Sequence, residues 1–339
     1  MNNIKIFVSH RIDVNSELIE NPIYVPMRCG AIFDADNPMQ IAGDDTGDNI
    51  SERRMSFCEF TVQYWAWKNA DADYYGLCHY RRYLSFAEKY YKTDEYNMIH
   101  VPLLTQAEAK RYGLLRNDYM KQLISQYDII VSEYADIRNV PTPSGRKNTL
   151  YEHWSAHEGV FFAPGAIKFL LELIDEFQPE FSTVSREYLS GFRHRGFNCY
   201  VLRKELFFRL CEFQFPIMFE VEKRLNMTQY TQTMIRTPAF FGEILYGIFI
   251  YYLTTREEHR FKELQLVFFT NTERLGSLPR QFVYHTWAYL DRLFRFCADP
   301  FFPKGTKRRE LLKNFFYGVT RMKRRGIADP ITVSEKNKK

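Results

Sequence analysis

Short β-rich apolar runs alternating with stretches of helical periodicity constrain this 339-residue chain more than any other feature. Residues 4–9 read Ile-Lys-Ile-Phe-Val-Ser, 23–25 Ile-Tyr-Val, 74–78 Tyr-Tyr-Gly-Leu-Cys and 128–132 Asp-Ile-Ile-Val-Ser. Each run is bounded by polar or turn-forming residues, the pattern of a buried strand, and 197–202 and 262–269 extend the series. Between them, Ser56-x-x-Glu59 has the form of a capping box, and Phe57, Phe60, Tyr64 and Trp65 then share one helical face, so a helix is predicted over 56–69. Further helices are predicted over 116–126, over 164–177 with Pro164 at the first helical position, and over 203–225, 239–254 and 278–297. Such alternation predicts an α/β fold, a mostly parallel sheet flanked by helices.

The length suits one large domain, here residues 1–272, with a C-terminal helical extension over 273–327 and a disordered tail at 328–339. Hydrophobic residues at 45% and aromatics at 17% supply enough burial to exclude disorder over most of the chain. The first apolar run stops at Ser9-His10-Arg11, too early for a secretory leader, so the chain is expected to stay in the cytoplasm. The longest apolar span, 244–253, is about half of the roughly 18 to 20 residues a membrane helix needs, and is expected to be a buried helix. Six scattered cysteines without metal-binding spacing are expected to be free thiols. Net charge is +5, but the segment from Lys304 to Arg325 holds nine Lys or Arg against Glu310 alone, a local +8 that leaves −3 for the rest. Basicity confined to one segment argues against a nucleic-acid-binding surface. In that segment Leu311, Leu312, Phe315, Phe316, Val319 and Met322 recur at helical spacing, which predicts an interfacial amphipathic helix that docks on anionic lipid.

Ligands of open α/β sheets bind outside the carboxyl ends of the strands. Three polar clusters fall there: His10-Arg11, the loop Gly43-Asp-Asp-Thr-Gly-Asp-Asn-Ile-Ser51, and His79-Tyr80-Arg81-Arg82. Consecutive arginines at a strand end suit a diphosphate, which guanidinium groups grip through paired charge-assisted hydrogen bonds. Pairing with Asp71 or Asp73 is the alternative for them. Asp44, Asp45 and Asp48 have the chemistry to hold Mg²⁺ or Mn²⁺ or to accept sugar hydroxyls, or else to shape the loop as turn residues. No phosphate-binding glycine loop, nucleophile elbow or zinc-protease motif occurs in the chain.

Phe7-Val8-Ser9-His10, the 43–51 loop, Tyr64-Trp65-Ala66-Trp67-Lys68-Asn69, Gly76-Leu77-Cys78-His79-Tyr80-Arg81-Arg82-Tyr83 and Phe197-Asn198 together resemble the family catalogued as domain of unknown function 4422. That resemblance, over roughly residues 4–270, implies a glycosyltransferase of the GT-A type (Rossmann-like) serving bacterial capsule, lipopolysaccharide or exopolysaccharide synthesis. By the same resemblance, His10, Arg11, Asp44, Asp45, Asn49, Ser51, His79, Tyr80, Arg81 and Arg82 hold the nucleotide-sugar donor, a UDP-sugar above others. Asn198 and Arg236 contact donor or acceptor sugar. Glu243, heading an otherwise apolar helix, is the first candidate for the base that deprotonates the acceptor hydroxyl, with Asp128 behind it; an interaction with its own helix dipole is the alternative for Glu243. In the GT-A class an Asp-x-Asp pair usually holds the donor's metal, and here His79-Tyr80-Arg81 takes its place. No cofactor is therefore expected, with Asp44 and Asp45 as fallback ligands for Mn²⁺ or Mg²⁺.

The partners expected are the donor, a lipid-linked oligosaccharide acceptor and the inner membrane surface through 304–325, with no nucleic acid. Two other classes fit the same residues: a metal-dependent phosphotransferase or hydrolase acting on a sugar phosphate, and a non-catalytic nucleotide-sugar-binding assembly protein.

Overall fold

The computed structural model describes residues 2–225 and 233–276, with scattered positions between 279 and 290. Contacts divide the chain into Met1–Gly276 and Ser277–Lys339, and the first unit contains the sheet and the helices that flank it. The predicted helix over 278–297, apart from those scattered positions, the basic segment 304–325 and the tail 328–339 lie outside the described residues.

The chain opens with β1 (Ile4–Arg11), β2 (Tyr24–Cys29) and β3 (Ala42–Gly43), then α1 (Arg54–Phe57) and α2 (Phe60–Asn69). Next come β4 (Tyr74–His79), β5 (Arg82–Leu84), β6 (Met98–Leu103), α3 (Gln106–Arg111), α4 (Asn117–Ile124), β7 (Ile129–Ser132) and β8 (Ala135–Asp136). After α5 (Leu150–Ser155), α6 (Ala166–Phe177) and α7 (Ser182–Ser190) come β9 (Arg193–His194), β10 (Tyr200–Arg203), α8 (Lys204–Arg224), α9 (Thr237–Arg256), β11 (Phe261–Leu264) and β12 (Leu266–Asn271). The main sheet runs β11-β7-β10-β4-β1-β2-β3, and β5, β12 and β6 extend it from β4. Strands β1, β2, β4, β7 and β11 share one direction, whereas β10 lies antiparallel between β4 and β7.

Period-2 alternation places the core on both faces of this sheet. Phe7, Tyr75, Leu77, Ile129, Val131, Tyr200 and Leu202 pack against α2 and the helices α6 to α9. Ile6, Val8, Tyr74, Cys78, Ile130 and Val201 pack on the other side against α3, α4, β6 and β12. Helix α9 is buried on nearly every side, the fate expected for 244–253, and Gly242 lets it lie on Phe60, whose ring a Cβ would strike. Among the described residues no helix is long and apolar enough to cross a membrane. Helix α8 continues through Pro216, which has no N–H for the carbonyl of Glu212; Gln178 Nε2 donates to that oxygen at 3.2 Å. The five described cysteines are free, and the thiols of Cys78 in β4 and Cys199, just before β10, lie 3.3 Å apart.

Three expectations need correction. The helix over 56–69 is broken at Cys58 (φ 50°, ψ −130°), and Ser56 lies inside α1, where its hydroxyl donates to Glu222 at 2.5 Å instead of capping. The strand over 262–269 divides at Gln265, whose side-chain amide exchanges hydrogen bonds of 2.8 and 2.7 Å with the backbone of Tyr91. The run 197–202 becomes strand only at Tyr200, because Phe197 (φ 70°) and Asn198 (φ 45°) form a left-handed turn.

Candidate functional site

The carboxyl ends of β1 and β4, the start of β5, the turn that precedes β10 and the first turns of α9 meet at one edge of the sheet. Antiparallel β10 is what brings Phe197 and Asn198 to this edge, since its amino end lies where its neighbours finish. His10 is 1% exposed, and its Nδ1 has no partner among the described residues. Burial lowers the imidazole pKa to about 3, so His10 is neutral near pH 7. His79 is likewise held well below the ordinary histidine range, by burial first and then by Arg82 and Arg81. The Tyr80 ring lies 4.3 Å from that of His79 and 6.1 Å from that of His10.

Two arginines supply the positive charge. Arg81 sits over the rings of Tyr80 and Phe268 at 5.4 and 5.5 Å, and Arg82 over Phe197 and Phe268 at 4.5 and 5.1 Å. The Nε of each is buried and without a partner among the described residues. The alternative partners are engaged at the opposite edge, where Asp71 pairs with Lys204 at 2.9 Å and Asp73 accepts from the Asn3 amide at 2.7 Å. Such groups are rarely left unsatisfied, so two half-buried guanidinium groups with free donors point to an anion that completes them.

Glu243, in the second turn of α9, is partly buried. Its pKa is pushed up to about 7 by burial and then by the charge of Glu59, against the opposing pull of Arg82, Arg236 and the Phe197 amide. Arg236 is exposed, donates from Nε to the Cys58 thiol at 3.1 Å and lies over the Phe240 ring at 5.3 Å. Asn198 is 2% exposed; its Nδ2 donates to Glu59 at 3.1 Å, and its Oδ1 is buried with no partner among the described residues. A carboxyl that titrates near neutrality beside fixed cations is suited to proton transfer.

The structure thus gathers His10, His79, Tyr80, Arg81, Arg82, Asn198, Arg236 and Glu243, with Arg11 beside Tyr80, and it gives Asp44, Asn49, Ser51 and Asp128 partners of their own. Asp44 is fully buried, and its carboxylate accepts from the backbone amides of Gly30 and Ala31 and from the hydroxyls of Ser51 and Thr61. With its oxygens so occupied, Asp44 anchors the loop to the end of β2, which corrects its expected role toward sugar or metal. Ser51 is spent on the same bond, and Asn49 bridges Gly47 and the Ser51 amide within the loop. Asp45 is exposed. Arg11 alternates with inward-facing His10 and is exposed; it pairs first with Asp13 and also interacts with Tyr80. Asp128 is also corrected: it precedes β7 at the opposite edge, bound by Arg203 at 2.6 Å and Arg260 at 2.7 Å. Those pairs hold its pKa at about 2, which makes it a poor base.

Glu59 and Phe268 belong to the site although their sequence surroundings do not mark them for it, and Phe197, part of a segment that carries the family resemblance, joins them through its ring under Arg82. Glu59 carries only the signal of a helix cap, and nothing local marks Phe268 in β12 as the ring beside both arginines. At the carboxyl end of β4 the side chains are an imidazole and two guanidinium groups, His79 with Arg81 and Arg82, whereas Mg²⁺ and Mn²⁺ favour carboxylate oxygen. Among the described residues no group of three or more His, Cys, Asp or Glu side chains is placed to bind a metal.

No curated protein matches the chain. A solved structure described as the apo form of the bifunctional glycosyltransferase WbbM superposes with a TM-score of 0.72 at 28% identity, over 82% of this chain and 48% of that one. The chain therefore spans about half the length of WbbM and shares the fold of that part. The family model described as "Domain of unknown function (DUF4422)" matches residues 5–255, most of the chain, and the protein belongs to that family.

Proposed function

We propose that this protein is a glycosyltransferase that moves a hexose from a nucleoside diphosphate sugar, a UDP-sugar first of all, to a hydroxyl of a lipid-linked oligosaccharide. The setting would be capsule, lipopolysaccharide or exopolysaccharide assembly at the inner face of the cytoplasmic membrane. One observation carries the reading: among the described residues His10 Nδ1, Arg81 Nε, Arg82 Nε and Asn198 Oδ1 are all buried and unpartnered, and all lie at one sheet edge. The likeness to a glycosyltransferase structure supports the same class.

In the transfer, the bond between the anomeric carbon and the diphosphate oxygen breaks and its electron pair leaves with the nucleoside diphosphate. Arg81 and Arg82 face that growing charge, and as fixed cations they need no reorganisation when it develops. The acceptor hydroxyl forms the new bond to the anomeric carbon and gives its proton to Glu243, whose pKa near 7 suits a base at neutral pH. Neutral His10 and His79 offer hydrogen bonds to nucleotide or sugar without adding charge. The commitment of Asp44 to the loop speaks against a phosphotransferase that would use it as a metal ligand.

Titration calorimetry with UDP and UDP-hexoses in the presence of EDTA tests the reading. Binding by the parent, weakened at least tenfold in Arg82→Ala, is the expected result, and failure of the parent to bind any nucleoside diphosphate would sink it.

A further inference from the structure

A row of partly exposed rings runs from the start of α9 to the end of α5. Arg236, Phe240 and Glu243 recur at i, i+4 and i+7, so they share one side of the first turns of α9, and Arg236 lies over the Phe240 ring. From Phe240 the contacts pass to Phe161 at 5.3 Å, from Phe161 to the stacked ring of His157 at 5.2 Å, and from His157 to Trp154 at 6.1 Å. All four rings keep a share of their surface open to solvent. The loop between α5 and α6 that carries His157 and Phe161 is fixed in place. Glu158 accepts from the amides of Gly165 and Ile167 at 2.8 and 3.2 Å, and the Phe161 amide donates to the His157 carbonyl at 2.9 Å. A surface ordered before a ligand arrives loses little freedom when the ligand binds.

We propose that this row is the acceptor subsite, where the sugar rings of the acceptor saccharide lay their C–H faces on Phe240, Phe161 and Trp154 and a ring hydroxyl donates to His157 Nε2. The inference rests on the proposed function and deepens it, because it names what holds the saccharide beside Glu243. His157 supplies the polar contact. Its Nδ1 lies 2.8 Å from the His153 carbonyl, which can only accept, so Nδ1 carries the ring proton and Nε2 is left as an acceptor. Beside it, His153 Nδ1 and Trp154 Nε1 are buried and have no partner among the described residues, the condition of groups that a ligand or an ordered water completes. A pyranose has an apolar face and a rim of hydroxyls, and flat rings with a nitrogen acceptor among them are its complement. An alkyl chain would cover the same rings but strip water from His157 Nε2 without replacing the hydrogen bond, which is unfavourable. Continuity through Phe240 and Arg236 joins the row to Glu243, where the acceptor hydroxyl must react.

Saturation-transfer NMR of the full chain in the presence of UDP tests the subsite. The probes are methyl hexosides, the disaccharides lactose, cellobiose and maltose, and hexanol as the alkyl control. The parent is expected to saturate the ring C–H protons of at least one disaccharide. In Phe161→Leu, which keeps apolar bulk but loses the flat face, affinity for that sugar should fall roughly three- to tenfold. His157→Phe keeps the row of rings and removes the nitrogen, so it should weaken the sugar and leave hexanol unaffected or favoured. Saturation of no sugar by the parent, or unchanged sugar affinity in either variant that remains folded by thermal unfolding, would overturn the subsite. A response to hexanol stronger than to every sugar would overturn it as well and give the row to a lipid chain. Calorimetry with UDP on the same samples separates the two readings. Sugar contact without UDP binding would fail the transferase reading alone, and UDP binding without sugar contact would fail the subsite alone.

Discussion

Replacing Glu243 by glutamine should make the protein more stable and inactive at once. Folding raises this carboxyl from 4.5 to about 7. A group raised in this way contributes stability that is complete below its unfolded pKa and lost as pH climbs through the folded one. The parent therefore loses stability between about pH 4.5 and pH 7, and the glutamine variant, with no proton to lose, does not. Each pKa unit corresponds to about 1.4 kcal/mol, which sets the gross effect near 3 kcal/mol. Water reaching a partly exposed carboxyl reduces that to about 2 kcal/mol, or roughly 4–8 °C in a domain of this size. Thermal unfolding of parent and variant at pH 4.5 and pH 8.5 measures it: nearly equal midpoints in acid and a more stable variant in base are expected. A variant that is less stable at pH 8.5, or whose advantage does not depend on pH, would refute the placement of a strained carboxyl here. Transfer to acceptor should fall by about 10²–10⁴-fold in the same variant while UDP binding holds.

The geometry carries three more expected outcomes. Arg82→Ala should weaken UDP binding by about 1.5–3 kcal/mol in calorimetry, and Arg82→Lys should not restore it, since a lysine reproduces neither the fork nor the stacking on Phe197 and Phe268. Asp44→Ala should cost about 3–5 kcal/mol in chemical unfolding, because the amides of Gly30 and Ala31 and two hydroxyls lose their acceptor, whereas exposed Asp45→Ala should stay within about 0.5 kcal/mol. Transfer activity should survive EDTA at least in part, and complete loss restored by Mn²⁺ or Mg²⁺ would overturn the assignment of the diphosphate to Arg81 and Arg82.

The parts of this fold that arise from local pattern were legible in the sequence. Apolar runs at 4–9, 74–78 and 128–132 became β1, β4 and β7, and the long helices over 203–225 and 239–254 became α8 and α9 within three residues at each end. Direction was not legible: residues 200–203 are as apolar as their neighbours, and nothing in them tells an antiparallel strand from a parallel one. Strands β5 and β6 escaped because they take their place by pairing with β12, a contact far away in sequence. Within the site, cationic and imidazole groups at strand ends could be named from position alone. The acids could not be sorted that way. Asp44, Asp128 and Glu59 each sit in plausible sequence surroundings, and only their partners divide an anchor, a surface ion pair and a neighbour of the base.

The reversed direction of β10 bears on how such a domain can be altered. In a wholly parallel sheet, working residues come from loops that follow strands, and the loops that precede them form an inert underside. Here the underside consists of the Asp71–Asp73 link and the Arg203–Lys204 junction, stitched by Lys204 to Asp71 and by Arg203 to Asp128. The segment leading into β10 has moved to the working side. Changes of length around 190–198 should therefore alter the candidate site, while a linker or surface attachment at the Asp71 rim should leave it unobstructed.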